Sequence, residues 1–309
     1  MKKFSTAMAI SLVMAICAAS AMGWGSATHA YIDEHINNKG PLLTLNQVYG
    51  GMAADVFNFM ADPQYQPYLA TQAHCGGFNK MWRIALLPTA KAQAFGFISH
   101  NQKWAADFFA HNYSCPPDNY LPTTGYIQIK AEALYNTDLN IKGLVDSLGY
   151  GLGMELLRDV IEYAVDILIL RQDAAIGQKV TFAALLRSAE FPLLLNSTYA
   201  WDFSRAFSLN YFQATRVIAA SESQFRQTMI AYGQILAQGE AAATAQIPAQ
   251  LALLAEQLFG ITINPSDIAN VIDLAKLYCE GDYMDAVDNG INDTIDSVSE
   301  RMQSHGFSY

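Results

Sequence analysis

The chain has 309 residues, 52% of them apolar and 15% charged, with a formal net charge of −10. That composition can bury a sizeable core. The acidic balance is a poor footprint for nucleic acid, which calls for a basic face, and it disfavours attraction to anionic membrane surfaces.

In chain order, residues 1–23 combine Lys2 and Lys3, an apolar run and a small-residue exit ending at Gly23. This pattern predicts a signal peptide and a secreted or periplasmic protein. Cleavage after Gly23 would give a chain beginning Trp24-Gly-Ser-Ala-Thr-His29. A free α-amine titrates near ~8, so a metal readily deprotonates it. With the Trp24 carbonyl oxygen it then closes a five-membered chelate, which His29 completes. Cys17 lies in the signal, leaving Cys75, Cys115 and Cys279. An oxidising compartment permits a Cys75–Cys115 bridge, and the odd count leaves at least one free thiol.

Asp55 follows the small-residue run Gly50-Gly-Met-Ala-Ala, and His74 stands beside Cys75-Gly-Gly. Alone, Asp55 also reads as a helix cap and His74 as an ordinary loop residue. Ala92–His111 lacks Pro and predicts a helix. At 100° per residue, His100, Asp107 and His111 fall within about 40° of one another on it. Two imidazoles and a carboxylate are usual zinc donors. The other reading, a solvated polar stripe, has to contend with flanking Phe, Ala, Trp and Ile, among which a buried polar row needs partners.

Gly151–Gln172 predicts a second long helix, with Glu155, Asp159, Glu162 and Asp166 along one face. The four acids are either ligands or a surface stripe balanced by Arg158 and Arg171. Its segment Val160–Leu170 is apolar but interrupted by Glu162 and Asp166, and so reads as buried rather than membrane-spanning. Helical periods continue through Gln250–Phe259 and Ser266–Tyr278, where Ser266 and Asp267 read as N-caps after Pro265. Strand-like alternation is nearly absent. The fold class expected is all-α: a domain over 24–175 and a helical extension over 176–309 packed on it. His35 and His305 read as ordinary surface residues, and Trp104, Tyr113 and Tyr120 as core aromatics rather than a cleft lining.

The ordered set Trp24, His29, Asp55, His74, His100–Asp107–His111 and Glu162 resembles the zinc-dependent phospholipase C and P1-type nuclease superfamily over about residues 24–170. The Trp-Gly-x-x-x-His start is similar to the nuclease branch. The phrases Ala-Phe-Gly-Phe-Ile-Ser-His and Ala-Ala-Asp-Phe-Phe-Ala-His-Asn are similar to bacterial phospholipase C-domain proteins. The resemblance implies a secreted, all-helical enzyme holding up to three zinc ions. One would take Asp55, His74, His100 and a bridging Asp107; a second Trp24, His29 and Asp107; a third His111 and Glu162. It implies hydrolysis of a phospholipid or other phosphodiester, with transient membrane-surface contact and Asp55 as a second candidate for the base that takes a proton from water. A P1-type single-strand nuclease and a metal-binding helical protein without catalysis are the alternatives; the acidic charge makes nucleic acid the less expected partner.

Two departures stand out. The superfamily separates the first His and the Asp of the central helix by four residues, whereas here they are seven apart. Three extra residues rotate a helix by about 300° and advance it about 4.5 Å, so either the helix bulges or the pair cannot share an ion. Arg158 occupies the position of a ligand His four residues before Glu162, and Arg cannot ligate a metal. Asp159 is the substitute the sequence offers, and an all-acid set favours harder ions than zinc.

Overall fold

The computed structural model describes residues 24–36, 39–111, 115, 125–259, 262–283 and 290–308. Residues 1–23, and with them the signal-peptide expectation, lie outside the described residues, as do Tyr113 and Tyr120. The protein is all-helical, with no strand among the described residues. Its helices are α1 (Ser26–Ile36), α2 (Pro41–Met52), α3 (Gln66–Thr71), α4 (Phe78–Ile84), α5 (Pro88–Ser99), α6 (Ala106–His111), α7 (Tyr126–Thr137) and α8 (Leu139–Ser147). They continue with α9 (Tyr150–Ile169), α10 (Ile176–Leu186), α11 (Phe191–Ala206), α12 (Tyr211–Leu236), α13 (Glu240–Phe259), α14 (Pro265–Glu280) and α15 (Gly290–Ser304). A 3-10 turn (Ala53–Phe59) follows α2 and a π turn (Gln72–Gly76) follows α3.

One apolar core runs from Trp24 to Phe307 and draws on both halves of the chain. Among the described residues no helix is long and apolar enough to cross a membrane. In α9, Ile161, Val165 and Leu168 are fully buried, as the helical period predicts. Cys75 and Cys115 are joined and Cys279 is a buried free thiol.

Three helix boundaries differ from expectation. Ala92–His111 is two helices rather than one, because Asn101 intervenes. Its side-chain oxygen accepts from the Lys103 and Trp104 amides at 2.9 and 3.1 Å, and its amide nitrogen donates to Ile98 O. Such local bonds compete with helix continuation. At the start of α14, Asn264 and not Ser266 or Asp267 is the cap, accepting from the Ser266 amide at 3.1 Å, with Pro265 in the first turn. Helix α13 starts ten residues before Gln250 and runs through Pro248.

Two packing devices place the site. Helices α2 and α5 meet backbone against backbone. A Cβ on Gly96 would collide with the Gln47 carbonyl and the Gly51 amide, and one on Gly50 with the Gln93 carbonyl. The second device is Asp166, fully buried on α9. Its carboxylate accepts from the amides of Ala27 and Thr28 at 2.9 and 2.8 Å, from the Thr28 hydroxyl at 2.7 Å and from the Tyr232 hydroxyl at 2.8 Å. It thus caps the N-terminus of α1 from another helix, where a negative charge is favoured, and ties α1, α9 and α12 together. Asp166→Asn would turn an amide N–H toward one of these donors. The expected cost is about 2–3 kcal/mol, read as a lowered denaturant midpoint at unchanged m-value; an unchanged midpoint would remove Asp166 from the framework.

Candidate metal centre

Five predicted side chains converge from five places in the chain: His29 on α1, Asp55 in the 3-10 turn, His74 in the π turn, His100 just after α5 and Asp107 in the first turn of α6. His100 Nε2 lies 2.9 Å from Asp107 Oδ2 and His29 Nε2 3.0 Å from Asp107 Oδ1. His74 Nε2 is 3.1 Å from His100 Nε2 and 3.3 Å from Asp55 Oδ1. The rings of His29 and His100 stack at 3.8 Å. Two overlapping sets result, His29–His100–Asp107 and Asp55–His74–His100, each with its ligand atoms within 4.8 Å of one another.

The seven-residue spacing is accommodated by looping rather than by helix rotation. The Asp107 amide donates to the His100 carbonyl at 3.0 Å, so the intervening residues bulge out and the two side chains become neighbours. The Gln102 amide donates to the His74 carbonyl at 3.1 Å, pinning the bulge to the π turn that carries the third imidazole.

Backbone carbonyls fix which ring nitrogens point inward. His74 Nδ1 lies 2.8 Å from Ala70 O and His100 Nδ1 2.7 Å from Gly51 O. A carbonyl only accepts, so both Nδ1 atoms carry hydrogen, and in the neutral rings both Nε2 atoms present lone pairs. Those lone pairs face each other and the carboxylate oxygens of Asp55 and Asp107. Both Asp107 oxygens and His29 Nε2 are buried without a hydrogen-bond partner. Acceptors converging on acceptors in a dry interior are stable only with positive charge among them. A proton supplies part of it: burial would lower the His100 imidazole, but the Asp107 and Asp55 carboxylates outweigh this and push it up to about 9. Burial would raise the Asp107 and Asp55 carboxyls, yet His100 holds Asp107 well below the usual carboxylate range and Asp55 below its ordinary value. His29 is lowered, first by burial and then by the charge on His100. These buried His and Asp groups can hold a metal ion, and their nitrogen and oxygen donors fit one.

The remaining predicted residues stand beside this cluster. Trp24 is buried against Tyr126, with ring centroids 5.6 Å apart. It lines a cleft with Asp55, Asp159 and Glu162. His111 Nε2 is 3.2 Å from Glu162 Oε1. Burial and then the charge of Asp159 push the Glu162 carboxyl well above its ordinary value. Neither Trp24, His111, Asp159 nor Glu162 belongs to the two three-residue sets. Arg158 turns away from them and donates to Gln128 Oε1 at 2.9 Å and Glu155 at 3.2 Å. Comparison with family models, with curated proteins and with solved structures finds no match.

Several contributors are not evident as ligands in the sequence. Asp33, four residues after His29 and so on the same face of α1, is fully buried; its Oδ1 accepts from the Ser99 hydroxyl at 2.8 Å. This bond ties the helix bearing His29 to the one that His100 follows. The helical extension expected to pack on the domain supplies a wall of the cleft, through Phe225, Thr228, Met229 and Tyr232 of α12. His35 is exposed, as expected. His305 is also exposed but stacks on Trp104 at 5.0 Å, against the bulge between His100 and Asp107. Trp104 itself is buried in the core.

Proposed function

We propose that the protein is a secreted, metal-dependent phosphodiester hydrolase of phospholipase C type, in keeping with its resemblance to the phospholipase C and P1-type nuclease superfamily. The observation that carries this reading is the convergence of imidazole lone pairs and carboxylate oxygens of His29, Asp55, His74, His100 and Asp107 around shared points. Imidazole-rich nitrogen and oxygen donors suit zinc. Bound there, such ions supply Lewis-acid polarisation of a phosphoryl oxygen and charge to offset it.

The chain's own residues do the rest. The cleft is lined by Asp55, Asp159 and Glu162, and no Lys or Arg is among its described lining residues. A phosphodiester anion therefore has no side-chain counter-charge on these walls, which favours recognition through cations. Asp55, 15% exposed on its side chain, is the member of the five that opens to the cleft, the others being buried. It is the residue positioned to take a proton from an attacking water. The aromatic rings of Trp24, Phe59 and Phe225 also line the cleft.

The test is turnover of p-nitrophenylphosphorylcholine and of single-stranded RNA by protein shown to begin at Trp24, before and after chelation. Chelator-sensitive turnover of the first is expected. Turnover of RNA alone would establish the nuclease reading instead, and bound metal without turnover of either the non-catalytic one.

The pair His111–Glu162 completes a third site only with another donor, and Arg158 is engaged by Gln128. Arg158→His is expected to raise the bound metal by one equivalent per chain, measured by elemental analysis. An unchanged count would show that position 158 supplies no ligand to this pair.

A further inference from the structure

The acidic stripe of α9 has an apolar flank. Leu156, Leu157 and Val160 line a second cleft together with Val145 of α8, Leu251 of α13 and Ile268 of α14, enclosing about 750 Å³ with its open mouth included. Among the described residues its lining is aliphatic apart from Gly153 and one polar side chain, Asp159. Asp159 also lines the acidic cleft beside Trp24, Asp55 and Glu162. The two clefts therefore adjoin at a single residue, one suited to a charged group held through cations and the other to hydrocarbon alone.

We infer that the aliphatic cleft holds one alkyl or acyl chain of a phosphodiester lipid whose phosphoryl group occupies the acidic cleft; this rests on the phosphodiesterase reading. The chemistry of the lining selects the occupant. A peptide backbone or a nucleobase carries donors and acceptors that Leu, Ile and Val cannot pair, and burying them unpaired is costly. A methylene chain carries none and gains from each carbon it withdraws from water. Two of the walls, α13 and α14, belong to the chain beyond residue 175, which gives that region a role in substrate choice.

The experiment uses a series of n-alkyl p-nitrophenyl phosphodiesters from methyl to dodecyl, kept below micelle-forming concentrations. KM is expected to fall roughly three- to fourfold per added methylene, with kcat steady, and to level off once the cleft is full. Leu156→Trp, at a half-buried position, fills the cleft; it should flatten the series while leaving turnover of the methyl ester unchanged. Val160→Trp serves if the first variant does not melt cooperatively. Calorimetric titration with dodecylphosphocholine gives a readout independent of turnover, with binding expected to weaken at least tenfold in the filled variant. Turnover with KM independent of chain length would overturn the inference and leave the hydrolase standing. Chain-length dependence that survives both substitutions would place the chain elsewhere and also overturn it. Binding of dodecylphosphocholine that is lost in Leu156→Trp, without turnover of any diester, would support the chain cleft and defeat the hydrolase reading.

Discussion

Asp107→Asn is expected to remove at least one metal equivalent and to lower phosphodiester turnover by roughly three orders of magnitude or more, since several kcal/mol of charge stabilisation go with the ion and each 1.36 kcal/mol is a factor of ten. Asp107 is the residue that faces both His29 and His100, at 3.0 and 2.9 Å. Its carboxylate is fully buried and its two oxygens lie against these two imidazoles. The amide is nearly isosteric and removes a buried charge, so the fold should persist while the cation affinity drops. Elemental analysis and initial rates on the same preparation check both halves. Full metal content in the variant would remove Asp107 from the centre, and full activity at reduced metal would separate the centre from the chemistry.

The largest effect expected on stability comes from Gly96→Ala. The added methyl would meet the Gln47 carbonyl and the Gly51 amide, both backbone and neither able to swing aside. Helix α5 must then move off α2, at a cost of about 3 kcal/mol or more and a melting temperature lower by on the order of 10 °C. Metal affinity should fall with it, because Gly51 O positions His100 and Gln47 Nε2 donates to Asp33 O at 2.8 Å. Gly143→Ala is the control. It lies in the exposed face of α8 with nothing within 4 Å of the added carbon, and the gain in helix propensity should make it neutral or slightly stabilising. Equal melting of the two variants would refute close backbone packing as the support of the site.

The all-helical architecture and the identity of the converging residues were legible because both rest on local signals. The 3.6-residue period marks α9, and His and Asp set among Phe and Ala are out of place unless they meet a partner. The path by which they meet was not legible. His100 and Asp107 look like two positions on one helix face, yet an asparagine two residues from the end of α5 redirects the chain through its own side-chain bonds, and the pair is closed by a backbone bond across the bulge. Asp166 reads as the fourth member of an acidic stripe. Its distinction from Asp159 and Glu162 is that α1 begins against it, a tertiary fact with no trace in spacing. The contribution of α12 was equally hidden, since Phe225, Thr228, Met229 and Tyr232 form an ordinary apolar stripe until their neighbour is known. Likewise the Cys75–Cys115 pairing was permitted by the count of thiols, but only the fold joins the two.

The Asp166 junction carries an implication for how far the molecule can be pared down. Its four donors come from residues 27–28 and 232, on either side of it in sequence. A fragment stopping near residue 175 would retain every proposed ligand and still lack Tyr232 and the rest of α12, which walls the cleft and meets Asp166 where α1 begins. Minimisation by truncation is thus closed to this scaffold. An insertion at an exposed connection such as Gln238-Gly239, where the backbone turns with Gly239 at φ 93°, leaves that junction whole and is the safer place to graft new sequence.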